Sequence, residues 1–187
     1  MEALYDRFES PLYGFAVRLL GSREDGADVL QEMWCRAHLH QKDWITGTSI
    51  KSWLFGILRN LCFDLLRRRR HEPLLEVSNG EQDSEVQREA ILAEWYSTWN
   101  STALDPSFRK AVDDGLQQLA PIYRVLVLYA FDDWSYSEMA EQEGISESQV
   151  KGRIHRARAQ LKEYLASRGY EPAEQPTHPQ QKRERHG

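Results

Sequence analysis

The residues best suited to chemistry in this 187-residue chain lie toward its C-terminal end, and the chemistry they suit is binding, not catalysis. Between Ser148 and Lys162 there are five basic residues and no acidic one. At about 100° per residue on a helix, Val150, Ile154, Ala157, Leu161 and Leu165 share one narrow face. Ser148, Gln149, Gly152, His155 and Arg156 share the opposite face, with Lys151, Arg153, Arg158 and Lys162 on the flanks. An apolar stripe can anchor such a helix on a domain. Short polar residues near its N-terminus can then reach base edges while Lys and Arg hold phosphates. Gly152 costs roughly 1 kcal/mol relative to Ala inside a helix, but on an outer face it lets a DNA backbone come close. The plain alternative for this face is a solvated basic surface.

No catalytic constellation accompanies it. The sequence holds no phosphate-cradling Gly-rich loop, no nucleophile–base arrangement and no zinc-protease motif. Cys35 and His38 lie one helical turn apart, but no second ligand pair has zinc spacing, so neither metal nor cofactor is expected. Cys35 and Cys62 both sit in helical patterns and are expected to be small buried hydrophobes.

The elements that must position the basic helix are themselves helical. Ser135 with Glu138, and Ser146 with Gln149, are two capping boxes, and Gly144 between them is a helix stop. This spacing predicts two helices joined by a tight turn, a helix-turn-helix. Upstream, Phe108, Val112, Gly115, Leu116 and Leu119 form one amphipathic pattern, and Pro121 suits the first turn of the next. The N-terminal part predicts three further helices. Leu4, Phe8, Leu12, Phe15 and Leu19 mark the first, with Gly21 as its stop. Ser22 and Asp25 open the second, whose apolar face is Leu30, Met33, Trp34 and Ala37. Gln41–Ser49 is a loop, and Ile50, Trp53, Leu54, Ile57, Leu61 and Leu65 line the third.

These patterns divide the chain into an all-α arrangement of two small helical domains, 1–71 and 107–167, joined by an acidic linker over 72–106. A disordered tail is expected over 168–187. Two domains in this length imply two small cores. Within the linker, Val86, Ala90, Ala93, Trp95, Tyr96 and Trp99 permit a helix across Glu85–Trp99, whose aromatic cluster is expected to dock on something. Net charge is −5, yet its distribution favours nucleic acid. Glu72–Pro106 carries eight acidic residues and one basic, whereas Lys51–Arg70 carries six basic and one acidic. DNA responds to the local field within about 8–10 Å. The N-terminus lacks a signal-peptide pattern, and Val125–Phe131, the longest apolar run, is far below the ~20 residues that span a bilayer. A soluble, cytoplasmic protein without membrane insertion is expected.

The segment Ser135–Leu165 resembles the C-terminal DNA-binding domain of the extracytoplasmic-function (ECF) sigma factors of bacterial RNA polymerase, of sigma-70 type. Tyr136, Glu138, Met139, Ala140, Gly144, Ile145, Ser146, Val150, Lys151, Arg153, Arg156, Ala157, Arg158 and Leu161 carry the resemblance. Ser148-Gln149 stands where the family usually has Gly-Thr. The first domain matches too. Ala27-Asp28-Val29-Leu30-Gln31-Glu32 is similar to the family's core-docking stretch, and Trp53–Asn60 with Asp64–Arg68 to its minus-ten helix. Gly26 departs from the family's usual acidic residue or Ala.

The resemblance covers roughly 4–71 and 108–166, and it implies a sigma factor that directs core polymerase to promoters and helps to open them. By that resemblance, minus-35 DNA falls to Ser148, Gln149, Lys151, Gly152, Arg153, His155 and Arg156. Minus-ten DNA falls to Lys51, Arg59, Asn60, Arg67 and Arg68, with loop Lys42–Ser49 walling a base pocket. Trp53 suits core packing better, and Asp64 suits a nearby Arg. Asp28, Leu30, Gln31, Glu32 and Trp34 fall to core polymerase, through the clamp helices of its largest subunit; the flap is a further implied contact, and an anti-sigma factor a further implied partner. The helix-turn-helix by itself leaves open a polymerase-independent regulator acting as a dimer.

Overall fold

The computed structural model describes residues 2–42, 44, 49–70 and 105–170. Among them are seven α-helices and no strand: α1 (Glu2–Leu20), α2 (Arg23–Leu39), α3 (Ile50–Arg70), α4 (Pro106–Gln118), α5 (Pro121–Phe131), α6 (Tyr136–Glu143) and α7 (Glu147–Ser167). The architecture is all-α, with α1–α3 forming one small domain and α4–α7 the other. The expected helix at Glu85–Trp99 and most of the loop Lys42–Ser49 lie outside the described residues.

Local chemistry explains the boundaries. The Ser22 hydroxyl accepts from the Asp25 N–H at 3.2 Å and opens α2. Asp105 caps α4, and Pro106 and Pro121 occupy the first turns of α4 and α5, where the missing N–H costs nothing. Helix α4 therefore begins at Pro106, inside the span expected as linker, the rest of which up to residue 104 lies outside the described residues. Residues 168–170, expected in the tail, are also tied to the second domain, and the rest of the expected tail lies outside the described residues. The Gly169 and Tyr170 N–H groups donate to Ala166 O and Leu165 O, and the Tyr170 ring meets Phe108 edge-on at 5.3 Å. An aromatic side chain with a partner on α4 holds this short stretch against the domain.

Helical registers mostly follow the expected stripes. Phe8, Leu12, Phe15 and Leu19 of α1 are buried, as are Leu30, Met33 and Ala37 of α2. Cys62 is buried, but Cys35 is exposed, contrary to expectation. It stands about 200° around the helix from the inward-facing Met33 and Ala37. At Gly26 α2 comes close to α1: a Cβ there would lie 2.6 Å from Val17 Cγ2 and 3.1 Å from the Val17 nitrogen. The departure from the family pattern is thus a packing solution.

The larger difference is in α3. Burial extends beyond the predicted stripe to Phe55, Leu58, Cys62, Phe63 and Leu66, while Ile50, Trp53, Ile57 and Leu65 are only partly covered. Phe55 is covered by the second domain, which packs on the first, while the rest of α3 packs chiefly on α1 and α2. Instead of two small cores, the buried residues form one continuous cluster. Phe15 of α1 stacks on Tyr129 of α5 at 5.4 Å, and Phe55 of α3 meets Tyr129 and Trp134 edge-on at 6.3 and 5.4 Å.

Arg124 of α5 ties this cluster to the backbone. Only 2% exposed, it donates to Leu116 O, Gln117 O, Leu119 O and the Gln117 side chain at the end of α4. It also donates to Leu19 O at the end of α1, 2.5 Å away. Helix C-termini leave carbonyls without partners and carry partial negative charge, so one guanidinium serves two helix ends.

Two stability predictions follow from these contacts. Arg124→Met should cost about 3 kcal/mol or more, because buried acceptors lose a charged donor; urea unfolding measures it, and an unchanged midpoint would refute the role. Gly26→Ala should cost about 1–3 kcal/mol through overpacking against Val17, despite the better helix propensity of Ala. A rise in melting temperature on that substitution would contradict the close α1–α2 packing.

Candidate nucleic-acid interface

The helix-turn-helix is α6, a turn and α7. Both expected capping boxes are present. The Ser135 Oγ accepts from the Glu138 N–H while the Glu138 carboxylate accepts from the Ser135 N–H. Those bonds hold the Glu138 carboxyl below its ordinary value. Ser146 and Gln149 repeat the arrangement at the start of α7. Gly144 adopts φ +65°, a left-handed conformation that a residue with a Cβ enters only at a cost.

This turn aims α7. Val150, Ile154, Ala157, Leu161 and Leu165 are all buried, so the opposite face points outward as the stripe requires. Ser148 and His155 are exposed, and Gln149, Lys151, Gly152, Arg153 and Arg156 are partly exposed. All seven residues expected at minus-35 DNA therefore share the outer N-terminal half of one helix. Several are already oriented. The Gln149 side-chain carbonyl is committed to the cap. Lys151 Nζ lies 5.6 Å from the centre of the Tyr136 ring, and Arg156 Nε donates to Gly152 O at 3.3 Å. Burial pushes Arg158 down to about 10, which leaves it a cation at neutral pH.

The five residues expected at minus-ten DNA are not brought to one face of α3. At about 100° per residue, Lys51 and Asn60 point in opposite directions. Asn60, Arg67 and Arg68 are exposed. Lys51 and Arg59 instead meet the second domain: Lys51 Nζ donates to Asp132 O at 2.6 Å, and Arg59 pairs with Glu143. Asp64 pairs with Arg67 at 3.0 Å, the structural role expected of it. Trp53 is half-buried against the core.

On α2, Asp28, Gln31 and Glu32 are exposed, Trp34 is half-buried, and Leu30 is buried. Glu32 is paired with Arg36 at 2.7 Å. Leu30, Gln31 and Trp34 line a groove between α1 and α2 together with Tyr5, Tyr13 and the 75%-exposed Leu39. The buried Trp34 indole N–H has no hydrogen-bond partner among the described residues.

Comparison with known proteins gives these surfaces a family. Residues 4–72 match the sigma-70 region 2 model and residues 109–161 the sigma-70 region 4 model. The chain is 31% identical over 159 residues to the ECF RNA polymerase sigma factor SigL of Mycobacterium tuberculosis, covering 84% of each protein. The chain belongs to the ECF RNA polymerase sigma factors.

Other relatives agree. The chain is 31% identical over 167 residues to the ECF sigma factor SigE of Mycolicibacterium smegmatis, a match that spans 87% of this chain and 60% of SigE. Among solved structures, it superposes on the sigma factor RpoE of Bartonella quintana, solved with the anti-sigma factor NepR. The TM-score is 0.63 at 21% identity, over 89% of this chain and 98% of that one. It also superposes on CnrH, solved with the cytosolic domain of CnrY, with TM-score 0.53 and 26% identity over 89% and 87% of the two chains.

For this sigma factor the two matched regions are α1–α3 and most of α4–α7, close to the spans of the sequence resemblance. Sequence reasoning did not single out Arg124, Glu143 or the Asp25–Arg69 pair at 2.5 Å. Arg69 holds the Asp25 carboxyl below its ordinary value. An arginine embedded in the apolar helix Pro121–Phe131 was the one available signal for Arg124. Glu143 looks like an ordinary surface acid in the sequence, and Asp25 only like a residue that opens α2.

Arg156 gives the sharpest test of the α7 surface. If it reads a base, Arg156→Ala weakens duplex binding by roughly 1–3 kcal/mol on the preferred site only. Equal weakening on every sequence, measured by fluorescence anisotropy, would make it a phosphate contact instead.

Proposed function

We propose that this chain binds core RNA polymerase through α2, places α7 in the major groove of minus-35 DNA, and uses α3 beside the minus-ten element during promoter opening. The observation that carries the reading is the co-occurrence, in one chain, of a sigma-70 region 2 domain and a region 4 helix-turn-helix with its outer face basic. A polymerase-independent regulator would need only the second.

The roles follow from residue type. The α1–α2 groove offers an apolar floor and the exposed Gln31, with exposed Asp28 and Glu32 on the same helix. That combination suits a helical partner with basic residues, as the clamp helices of the polymerase would present. Ser148, Gln149, His155 and Arg156 meet base edges, while Lys151 and Arg153 hold phosphates, and Gly152 permits close approach. Asn60, Arg67 and Arg68, with Lys51 and Arg59, follow the opened strand at minus ten. Binding, not nucleotide hydrolysis, supplies the free energy of opening, and the protein performs no catalytic step and needs no metal or cofactor. Among the described residues no helix is long and apolar enough to cross a membrane; we place the protein in the cytoplasm with its polymerase. An anti-sigma factor is a further partner, by analogy with the complexes of RpoE and CnrH.

Docking through α2 is tested at the groove rim, where substitution spares the core. Leu39→Asp and Gln31→Ala should each weaken association with purified core polymerase, Leu39→Asp by about 1–3 kcal/mol. Wild-type affinity in both variants at moderate salt would reject the α1–α2 groove as the docking surface.

A further inference from the structure

We propose that Arg158, with Lys162 beyond it, is a phosphate clamp that carries the DNA contact of α7 along its α6-facing flank, past the seven residues placed at minus-35 DNA. The proposal rests on α7 as the recognition helix and names the ligand of this flank, a phosphodiester of the duplex backbone. At about 100° per residue, Lys151, His155, Arg158 and Lys162 fall within about 60° of one another. They stand at i, i+4, i+7 and i+11, a row roughly 16 Å long on the helix axis. From Ser148 to Lys162 no acidic residue interrupts it. Lys151 Nζ lies 5.6 Å from the centre of the Tyr136 ring, so this flank is the one that meets α6.

Arg158 is the decisive member. Its side chain is only partly exposed, and Tyr136 stands beside it. Among the described residues it makes no hydrogen bond and no ion pair. The other covered arginines are satisfied: Arg124 donates to carbonyls, and Arg59 pairs with Glu143. The Arg158 nitrogens are not among the sealed, unpaired atoms, so its head reaches the surface of the cleft. Burial lowers its pKa to about 10, yet it stays charged at neutral pH. A cation partly stripped of water and lacking an acceptor carries a cost that an arriving anion removes.

The duplex backbone fits this position. A helix laid in the major groove brings its flanks to the phosphates on either side, while its outer face meets the bases. His155 belongs both to the outer face and to this row, so the two surfaces are continuous. A guanidinium is weakly hydrated and can hold a phosphate with two N–H groups. The covered stem of Arg158 restricts its rotamers, so little freedom is lost on binding. Lys162 is exposed one turn further on and can follow the same strand.

The test uses the full chain and a duplex that it enriches from a random pool. Arg158→Met keeps the stem and removes the charge, Arg158→Lys keeps the charge, and Lys162→Met probes the end of the row. Binding is read by fluorescence anisotropy over a range of salt. Arg158→Met and Lys162→Met should each weaken enriched and scrambled duplexes by the same factor. Each should also make the slope of log affinity against log salt shallower by about 0.9, the effect of one lost phosphate contact. Arg158→Lys should keep the wild-type slope. Among duplexes carrying a single uncharged methylphosphonate, one position should weaken the wild type and leave Arg158→Met unaffected. The urea midpoint of Arg158→Met should match or exceed that of the wild type, since an unpaired cation is removed. A lower midpoint would make Arg158 a structural residue and overturn the clamp. So would an unchanged salt slope, or the lack of such a methylphosphonate position, in a chain whose wild type binds its duplex. Unchanged duplex binding with weakened binding to core polymerase would overturn it too, and give the row to a protein partner. A pool without enrichment would instead sink the recognition-helix reading, and the clamp with it.

Discussion

Arg124 is a cation with almost no access to water, and a guanidinium cannot shed its charge. It is tolerable only because polar acceptors surround it, and those acceptors are carbonyls at the ends of α4 and α1 together with the Gln117 side chain. This one requirement sets the angle between α4 and α5 and brings the end of α1 to the same point. The aromatic cluster of Phe15, Phe55, Tyr129 and Trp134 then fills the space between the domains. The helix-turn-helix is carried on that frame. Its recognition helix faces outward because its apolar stripe is consumed by α4, α5 and α6 behind it.

The consequence for function is a division of surfaces. The outer face of α7 lies open to solvent. The α2 groove likewise lies open. The α3 surface is split: Asn60, Arg67 and Arg68 face solvent, while Lys51 and Arg59 serve the contact between domains.

What the sequence revealed and what it hid have a common physical cause. Capping boxes and helical stripes are local, so Ser135–Glu138, Ser146–Gln149 and the Val150–Leu165 face could be read directly, and so could the Asp64–Arg67 pair. Contacts between distant elements have no such periodic trace. Glu143 stands in an ordinary polar helix, and its partner Arg59 is 84 residues away. The wide burial of α3 was hidden for the same reason, since Phe55 and Phe63 fall off a stripe drawn for a single covered face. Cys35 was misplaced by treating a small apolar residue as buried by type, when the positions of Met33 and Ala37 already direct it outward. Gly26 shows the converse, a departure from the family pattern that only the proximity of Val17 explains.

The most direct measurement of the account is reconstituted transcription. Purified core polymerase, with and without this chain, is given genomic promoter fragments, and the 5′ ends of the transcripts are mapped. A sigma factor predicts discrete start sites that appear only when the chain is present, each preceded by a shared pair of upstream elements spaced for α7 and α3. Transcripts indistinguishable from those of core polymerase alone would contradict it, all the more if the chain bound its DNA equally well without polymerase.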